Sequence, residues 1–341
     1  MRFRLLYVFL PLLLGACSKA KGPVRLDFIG NTALTSSNRT ASPNDTLSTR
    51  AYAVGGESLL RRLRIEVTYT PGLSPILYPL PISNFDADNA PASQTLVYLD
   101  SLITPLFSTR NYTSPYKGGE YIFDNRFSAR STSGIEQWTY TATDADGQSA
   151  SRSYRITVSK ADSAAVFHNY TVLMRPQPAT ATDTLRNRAR VFLNLRYGLL
   201  LPRYAVLNNE TTVQPNQRLI DLVCVTNSTG ATIRLDGPAS DSLGRRLSTA
   251  RWPRANRNAT RLLRTSLTAA QFAEARTTAN FVSAFAAGTP FFTSDSLSTG
   301  VLAQNNVIAF RTGEGYYGLL LVGQLVPGTS PLLNCSIKVQ K

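Results

Sequence analysis

The chain carries one histidine, His168, and three cysteines, Cys17, Cys224 and Cys335. A zinc site made of His or Cys clusters needs three or four such ligands, and these scattered residues do not supply them. Ser–His–Asp or Cys–His catalysis would have to recruit His168, the only histidine. It lies in the strand-like run Val166-Phe-His-Asn-Tyr170, and no Gly-x-Ser-x-Gly elbow accompanies it. We read it as a packed or solvated residue and expect no catalytic residue, metal or cofactor. Glycoside hydrolysis needs only two acids about 5–10 Å apart, and sequence spacing points at no particular pair. A carbohydrate hydrolase using a carboxylate pair therefore stays as the alternative to a non-enzymatic protein.

Phe85-Asp-Ala-Asp-Asn89 and Asp144-Ala-Asp-Gly147 look like the front of calcium loops. The second has no distal Glu, which an EF-type loop requires, and reads as a hairpin turn. Arg245, Arg246, Arg251, Arg254, Arg257, Arg261 and Arg264 fall in one acid-free stretch with Trp252 among them. Arginine with an aromatic can clamp phosphates or stack on bases. The expected partners are anionic glycan or lipid head groups, not nucleic acid; a solvated surface is the plain reading. The whole chain is basic, with 36 Lys plus Arg against 21 Asp plus Glu, net +15. That excess is spread along the chain, so a coding bias toward arginine accounts for it without any partner.

Six Asp-Ser/Thr-apolar triplets occur, with hydroxyls at Thr46, Ser101, Ser163, Thr184, Ser242 and Ser296. They are candidate O-glycosylation sites, or turn motifs in which Asp caps the start of an apolar run. Cys224 and Cys335 both lie in strand-like runs. They are a candidate disulfide in an oxidising compartment, or two buried thiols.

Elements must position these residues. At ~150 residues per domain, 341 residues suggest two domains. From 24 to 160 the pattern is short alternating strands: Val24–Phe28, Thr46–Ala53, Leu60–Thr70, Glu136–Thr143 and Ser149–Val158. This predicts a β-sandwich. Residues 161–165 read as a linker of small residues. From 166 to 341 we expect a second β-rich (α+β) domain. Its strands are Phe167–Met174, Leu219–Val225, Asn306–Phe310, Tyr316–Val322 and Cys335–Val339, with one main helix near 268–287 opened by a Thr268/Gln271 capping box. The fold class is mainly β.

Residues 1–16 read as a leader: Arg2 and Arg4, then ten apolar residues, Leu5 to Leu14. Spanning a bilayer takes ~20 residues, so the run fits a signal peptide instead. It ends in Leu14-Gly15-Ala16-Cys17, which resembles the lipobox of bacterial lipoproteins. The resemblance implies lipidation of Cys17, a tether over 17–23 and anchoring in the cell envelope by acyl chains. Ser18 rather than Asp implies the outer membrane. Asn44-Asp-Thr-Leu47 and Thr143-Asp-Ala-Asp-Gly-Gln-Ser-Ala-Ser151 resemble immunoglobulin-like domains of bacterial surface lipoproteins. Val307-Ile-Ala-Phe-Arg-Thr-Gly-Glu-Gly-Tyr-Tyr-Gly318 resembles the C-terminal β region of uncharacterised Bacteroidetes lipoproteins. The Asp-Ser/Thr triplets resemble the O-glycosylation sequon of Bacteroidetes envelope proteins. Together they lead us to expect a lipid-anchored envelope protein: a spacer domain plus a binding domain of unknown ligand.

Overall fold

The alternating runs of the first half form two facing sheets. The computed structural model describes residues 22–70, 72, 93–106, 108, 109, 112–159, 165–208, 210–244 and 251–341. Thr46–Val54 pairs on either side with Arg25–Ile29 and Glu120–Ser128 in an antiparallel three-stranded sheet. The opposing sheet has five strands in the order Arg39–Ala41, Ser149–Val158, Gly134–Asp144, Leu60–Thr70 and Gln94–Leu102. Period two places Trp138, Tyr140 and Ala142 on one buried face, with Ile65 and Val67 beside them. The other sheet supplies Leu47, Ala51 and Phe127 to the same core. Polar groups cross the gap in pairs. Thr49 Oγ1 and Tyr154 Oη lie 2.6 Å apart, and Asn125 Nδ2 donates to Tyr140 Oη at 2.7 Å. These four buried groups are thus satisfied within the sandwich, whereas the buried Tyr98 hydroxyl has no such partner among the described residues.

Asp144-Ala-Asp-Gly147 is the expected hairpin turn. Gly147 has φ +81°, where an L side chain is strained. The Asp144 carboxylate accepts from the backbone N–H of Asp146 and of Gln148, at 3.0 and 2.8 Å. Its role is local turn chemistry.

The second half is also mainly β. Six antiparallel strands run in the order Phe167–Met174, Leu332–Gln340, Tyr317–Val326, Val307–Arg311, Arg261–Arg264 and Thr289–Pro290. A second sheet orders Leu199–Pro202, Arg190–Asn194, Leu222–Thr226 and Ile233–Asp236. The six-stranded sheet is covered on both faces. One face joins the main core through Ile308, Phe310, Leu320 and Ile337. The other packs Val307, Ala309 and Leu319 against Phe272 and Phe281.

The helical segment expected at 268–287 resolves into two helices, Ala269–Glu274 and Thr278–Ala286. The Thr268/Gln271 capping box is present. A second box, Thr277 with Asn280, restarts the helix after Ala275 turns extended. The single apolar stripe concealed that break. Lys338 closes the first helix: its buried Nζ donates to the carbonyls of Phe272, Ala273 and Ala275 at 2.8, 2.8 and 2.9 Å. They lie at the helix end, where carbonyls run out of intrahelical partners; of the three, only that of Phe272 also accepts a backbone N–H among the described residues, from Ala275 at 3.3 Å. Among the described residues no helix is long and apolar enough to cross a membrane.

One hydrophobic cluster runs through both halves. Tyr204 Oη donates to Asn125 Oδ1 at 2.6 Å, Asn208 Nδ2 to the Asp100 carbonyl at 2.8 Å, and Asn216 Nδ2 to the Val97 carbonyl at 2.7 Å. The expected linker, apart from Ala165, lies outside the described residues.

Candidate functional site

Cys17, Ser163, Arg245, Arg246 and the Phe85–Asn89 loop lie outside the described residues. His168 is buried in its strand opposite Val339. Cys224 and Cys335 are both free thiols here, each fully inside the core. Burial pushes both thiols well above their ordinary range.

The arginine stretch does not form one face. Arg251, Arg254, Arg261 and Arg264 are exposed, but Arg257 turns inward and donates through Nε and Nη2 to the Trp252 carbonyl at 2.9 and 2.7 Å. Trp252, interleaved with these arginines in sequence, is a core residue. It packs near Phe192, and its Nε1 donates to the Asn256 carbonyl at 2.9 Å. Arg261 to Arg264 form a strand whose Leu262 and Leu263 are buried.

Of the five described hydroxyls in the Asp-Ser/Thr triplets, Thr46 and Thr184 are exposed, and Ser101, Ser242 and Ser296 are half-buried. Their aspartates mostly do turn work. Asp45 accepts from the Ser42 N–H at 2.7 Å and Asp295 from the Leu297 N–H at 2.8 Å. Asp183 and Asp241 sit in first turns of helix, where a negative charge is favoured. Asp100 differs: it is buried, with Arg62 Nε at 2.5 Å and Thr212 Oγ1 at 3.0 Å. Burial pushes its carboxyl up. The hydrogen bonds from Arg62 and Thr212, with the charges of Arg62 and Arg64, outweigh that and hold it below its ordinary value.

Three clefts hold polar groups that converge. The first, about 300 Å³, lies at the junction of the halves. Its walls carry Arg50, Arg126, Arg175, Arg188 and Arg190 with one acid, Asp124. Arg50 grips Asp124 with both forks, Nε to Oδ1 at 2.6 Å and Nη2 to Oδ2 at 3.2 Å. Arg188 Nη1 reaches the same carboxylate at 3.5 Å. Arg190 is held by two hydroxyls, donating to Ser128 Oγ and to Thr46 Oγ1, the latter at 2.8 Å. Burial lowers the Arg190 guanidinium from its ordinary value, and the charges of Arg126 and Arg175 lower it further.

Arg188 also borders the second cleft, about 430 Å³, with Tyr121, Phe123, Tyr204, Asn187 and Arg251. Burial raises the Tyr121 and Tyr204 hydroxyls above their ordinary value. Ser101 and Thr184, two of the triplet hydroxyls, face this space. A third cleft of about 330 Å³ holds Asp241, Asp295 and Phe292. Beneath it the buried Asp236 accepts from Ser242 Oγ, Ser298 Oγ and Arg234 Nε at 2.9, 2.6 and 3.0 Å. Among the described residues no three His, Cys, Asp or Glu side chains group as metal ligands would.

Sequence reasoning missed the junction cleft. Its arginines come from four separate elements and from Arg175 just beyond a fifth, and no local spacing signals them.

These observations define a mainly β protein whose two halves share a core and clefts at their seam. No family model and no curated protein matches the chain. Likeness to solved structures is weak, as two of them show. A DUF4466 family protein from Parabacteroides merdae has a TM-score of 0.31 at 11% identity, over 94% of this chain and all of that one. Spo0M, a sporulation control protein from Bacillus subtilis, has 0.25 at 14% identity, over 66% of this chain and 82% of that one. At these scores neither likeness bears on topology or function.

Proposed function

We propose that the protein is a non-enzymatic envelope lipoprotein, tethered through acylated Cys17, whose two halves jointly bind a ligand. The first half, in this reading an immunoglobulin-like domain, is more than a spacer. The observation that carries the reading is the junction: guanidinium groups from both halves line one cleft, and only one carboxylate faces them. Such a wall suits recognition of an anion, since arginine is always charged and cannot serve as an acid or base near neutral pH. The outward arginines 251, 254, 261 and 264, though dispersed, add separate basic positions for anionic glycan or lipid head groups.

Anchoring is tested by Cys17→Ala in a lipoprotein-processing host. The wild type should fractionate with outer membrane, and the variant should appear soluble or as unprocessed precursor. A variant that stays in the membrane fraction without either form would refute lipid anchoring.

One observation favours a carbohydrate hydrolase as the second reading. Asp241 and Asp295 line a common cleft with an aromatic ring, Phe292, which is the component set of a carboxylate-pair glycosidase. Sugar release that vanishes in both Asp241→Asn and Asp295→Asn would establish it.

A further inference from the structure

The junction cleft gathers charge that the protein does not neutralise. Arg50 lies on Thr46–Val54, Arg126 on Glu120–Ser128, Arg175 just beyond Phe167–Met174, Arg188 at the end of Asp183–Arg188, and Arg190 at the start of Arg190–Asn194. Five guanidinium groups face one carboxylate, an excess of four positive charges. Asp124 is already shared by Arg50 and Arg188. Arg190 has only neutral hydroxyl partners there, Ser128 and Thr46. The side chains of Arg126 and Arg175 make no ion pair or hydrogen bond among the described residues, and both are exposed. Like charges brought this close repel, and an anion between them would turn that repulsion into attraction.

The chemistry narrows the anion. Arginine forks match the oxygens of phosphate, and two unpaired guanidiniums favour a dianion over a single carboxylate. Leu34, Leu173 and Leu185 also line the space, giving an organic body somewhere to rest. The volume, about 300 Å³, is at the small end of ligand pockets. It suits one sugar ring with its phosphate rather than a length of polymer. Arg190 and Arg50 are held in place before any ligand arrives, which limits the ordering cost of binding.

Deepening the ligand-binding reading above, we propose that this cleft binds a phosphate monoester of monosaccharide size, held by Arg126, Arg175 and Arg190. The phosphosugar can be free or the head group of a lipid.

The test is calorimetric titration of the full chain, in non-ionic detergent at low salt, with glucose 6-phosphate. One equivalent should bind. Glucose should give no heat, and glucuronate should bind about tenfold more weakly or worse, a difference of about 1.4 kcal/mol. The double variant Arg126→Gln/Arg175→Gln should lose at least about tenfold in affinity, because it removes two guanidinium charges and their charge-assisted hydrogen bonds to the phosphate. Arg61→Gln, an exposed position on Leu60–Thr70 away from the cleft, should bind as the wild type does. Vesicles whose head groups carry glucosamine phosphate separate the two sources. Capture that excess glucose 6-phosphate reverses assigns the lipid, and titration without capture assigns the free sugar. Absence of binding overturns the proposal. So does equal binding of glucuronate, equal weakening by Arg61→Gln, or an unchanged double variant with an unchanged melting temperature. The envelope reading fails separately, through the Cys17→Ala fractionation, and release of inorganic phosphate during the titration would sink only its non-enzymatic part.

Discussion

Replacing Glu136 with Gln should change how stability depends on pH. Glu136 is 0% exposed inside the sandwich. Its Oε1 accepts from the Arg130 N–H at 2.5 Å, and its Oε2 accepts from Trp138 Nε1 at 2.9 Å. Burial nevertheless dominates those bonds and the Arg130 charge, and raises the carboxyl from 4.5 to about 7. In the unfolded chain the same group ionises near its ordinary value. Below that value both states hold the proton, and the folded state carries no penalty. As pH rises toward 7 the unfolded chain releases its proton first, so stability falls. Above 7 both are ionised, and the loss levels off at about 3 kcal/mol. The substituted amide would not titrate. It would forfeit one of the two accepted hydrogen bonds, a cost of about 1–3 kcal/mol that is independent of pH. The Glu136→Gln variant should therefore be less stable than wild type near pH 4.5 and should gain on it by about 3 kcal/mol by pH 8.5. Asp221, also raised by burial to about 7, remains in both proteins and cancels from the difference. Urea unfolding of the chain from residue 18 onward, across this pH range, reads the difference directly. Stability curves that stay parallel would show that Glu136 does not titrate in this window, and the argument from its burial would fall.

Lys338→Met should cost about 2 kcal/mol or more, because three carbonyls at the end of Ala269–Glu274 lose their donor; an unfolding midpoint equal to wild type would show that water replaces the ammonium without loss. Limited proteolysis should nick the small-residue run at 160–165, and the two fragments should still co-elute under native conditions, since one hydrophobic cluster spans both halves. First cuts inside Leu60–Thr70, or fragments that separate without denaturant, would contradict that. Protein made in a glycosylating envelope host should be heavier than its lipidated sequence, and the excess should vanish when the six triplet hydroxyl residues are changed to Ala; an unshifted mass leaves the triplets as turn motifs.

Much of the fold was legible because period-two alternation follows from one buried face per strand. Thr46–Val54, Leu60–Thr70, Gly134–Asp144 and Ser149–Val158 all show it in sequence and in burial. Glu120–Ser128 did not announce itself, because its inward Asn125 is polar and becomes core only through bonds to Tyr140 and Tyr204. Gln94–Leu102 was obscured for another reason. Tyr98, Leu99 and Asp100 are buried in succession, since this edge strand is covered by the second half as well as by its own sheet. Arg261–Arg264 hid inside an arginine-rich stretch that suggested surface, although it is the fifth strand of the six-stranded sheet and buries its two leucines. In each case tertiary contact overrode the local pattern.

The candidate site was the least legible part, for a reason its geometry makes plain. A local motif can be read when neighbouring residues share a ligand, as in a turn or a capping box. The junction arginines span positions 50 to 190 and meet only because Thr46–Val54 and Glu120–Ser128 pair side by side, while Arg190–Asn194 docks against their edge through Ser128 and Thr46. The arginines that did cluster in sequence, from 245 to 264, disperse in space, with one turned into the core. Sequence density of charge therefore pointed away from the place where charge accumulates. In a chain whose basic residues are spread throughout, each guanidinium looks like solvated surface until the sheets are assembled. The informative quantity is then not how many arginines there are but which of them lack a carboxylate. By that measure Arg62 and Arg234 are spoken for by buried aspartates, whereas Arg126 and Arg175 face the junction cleft without one.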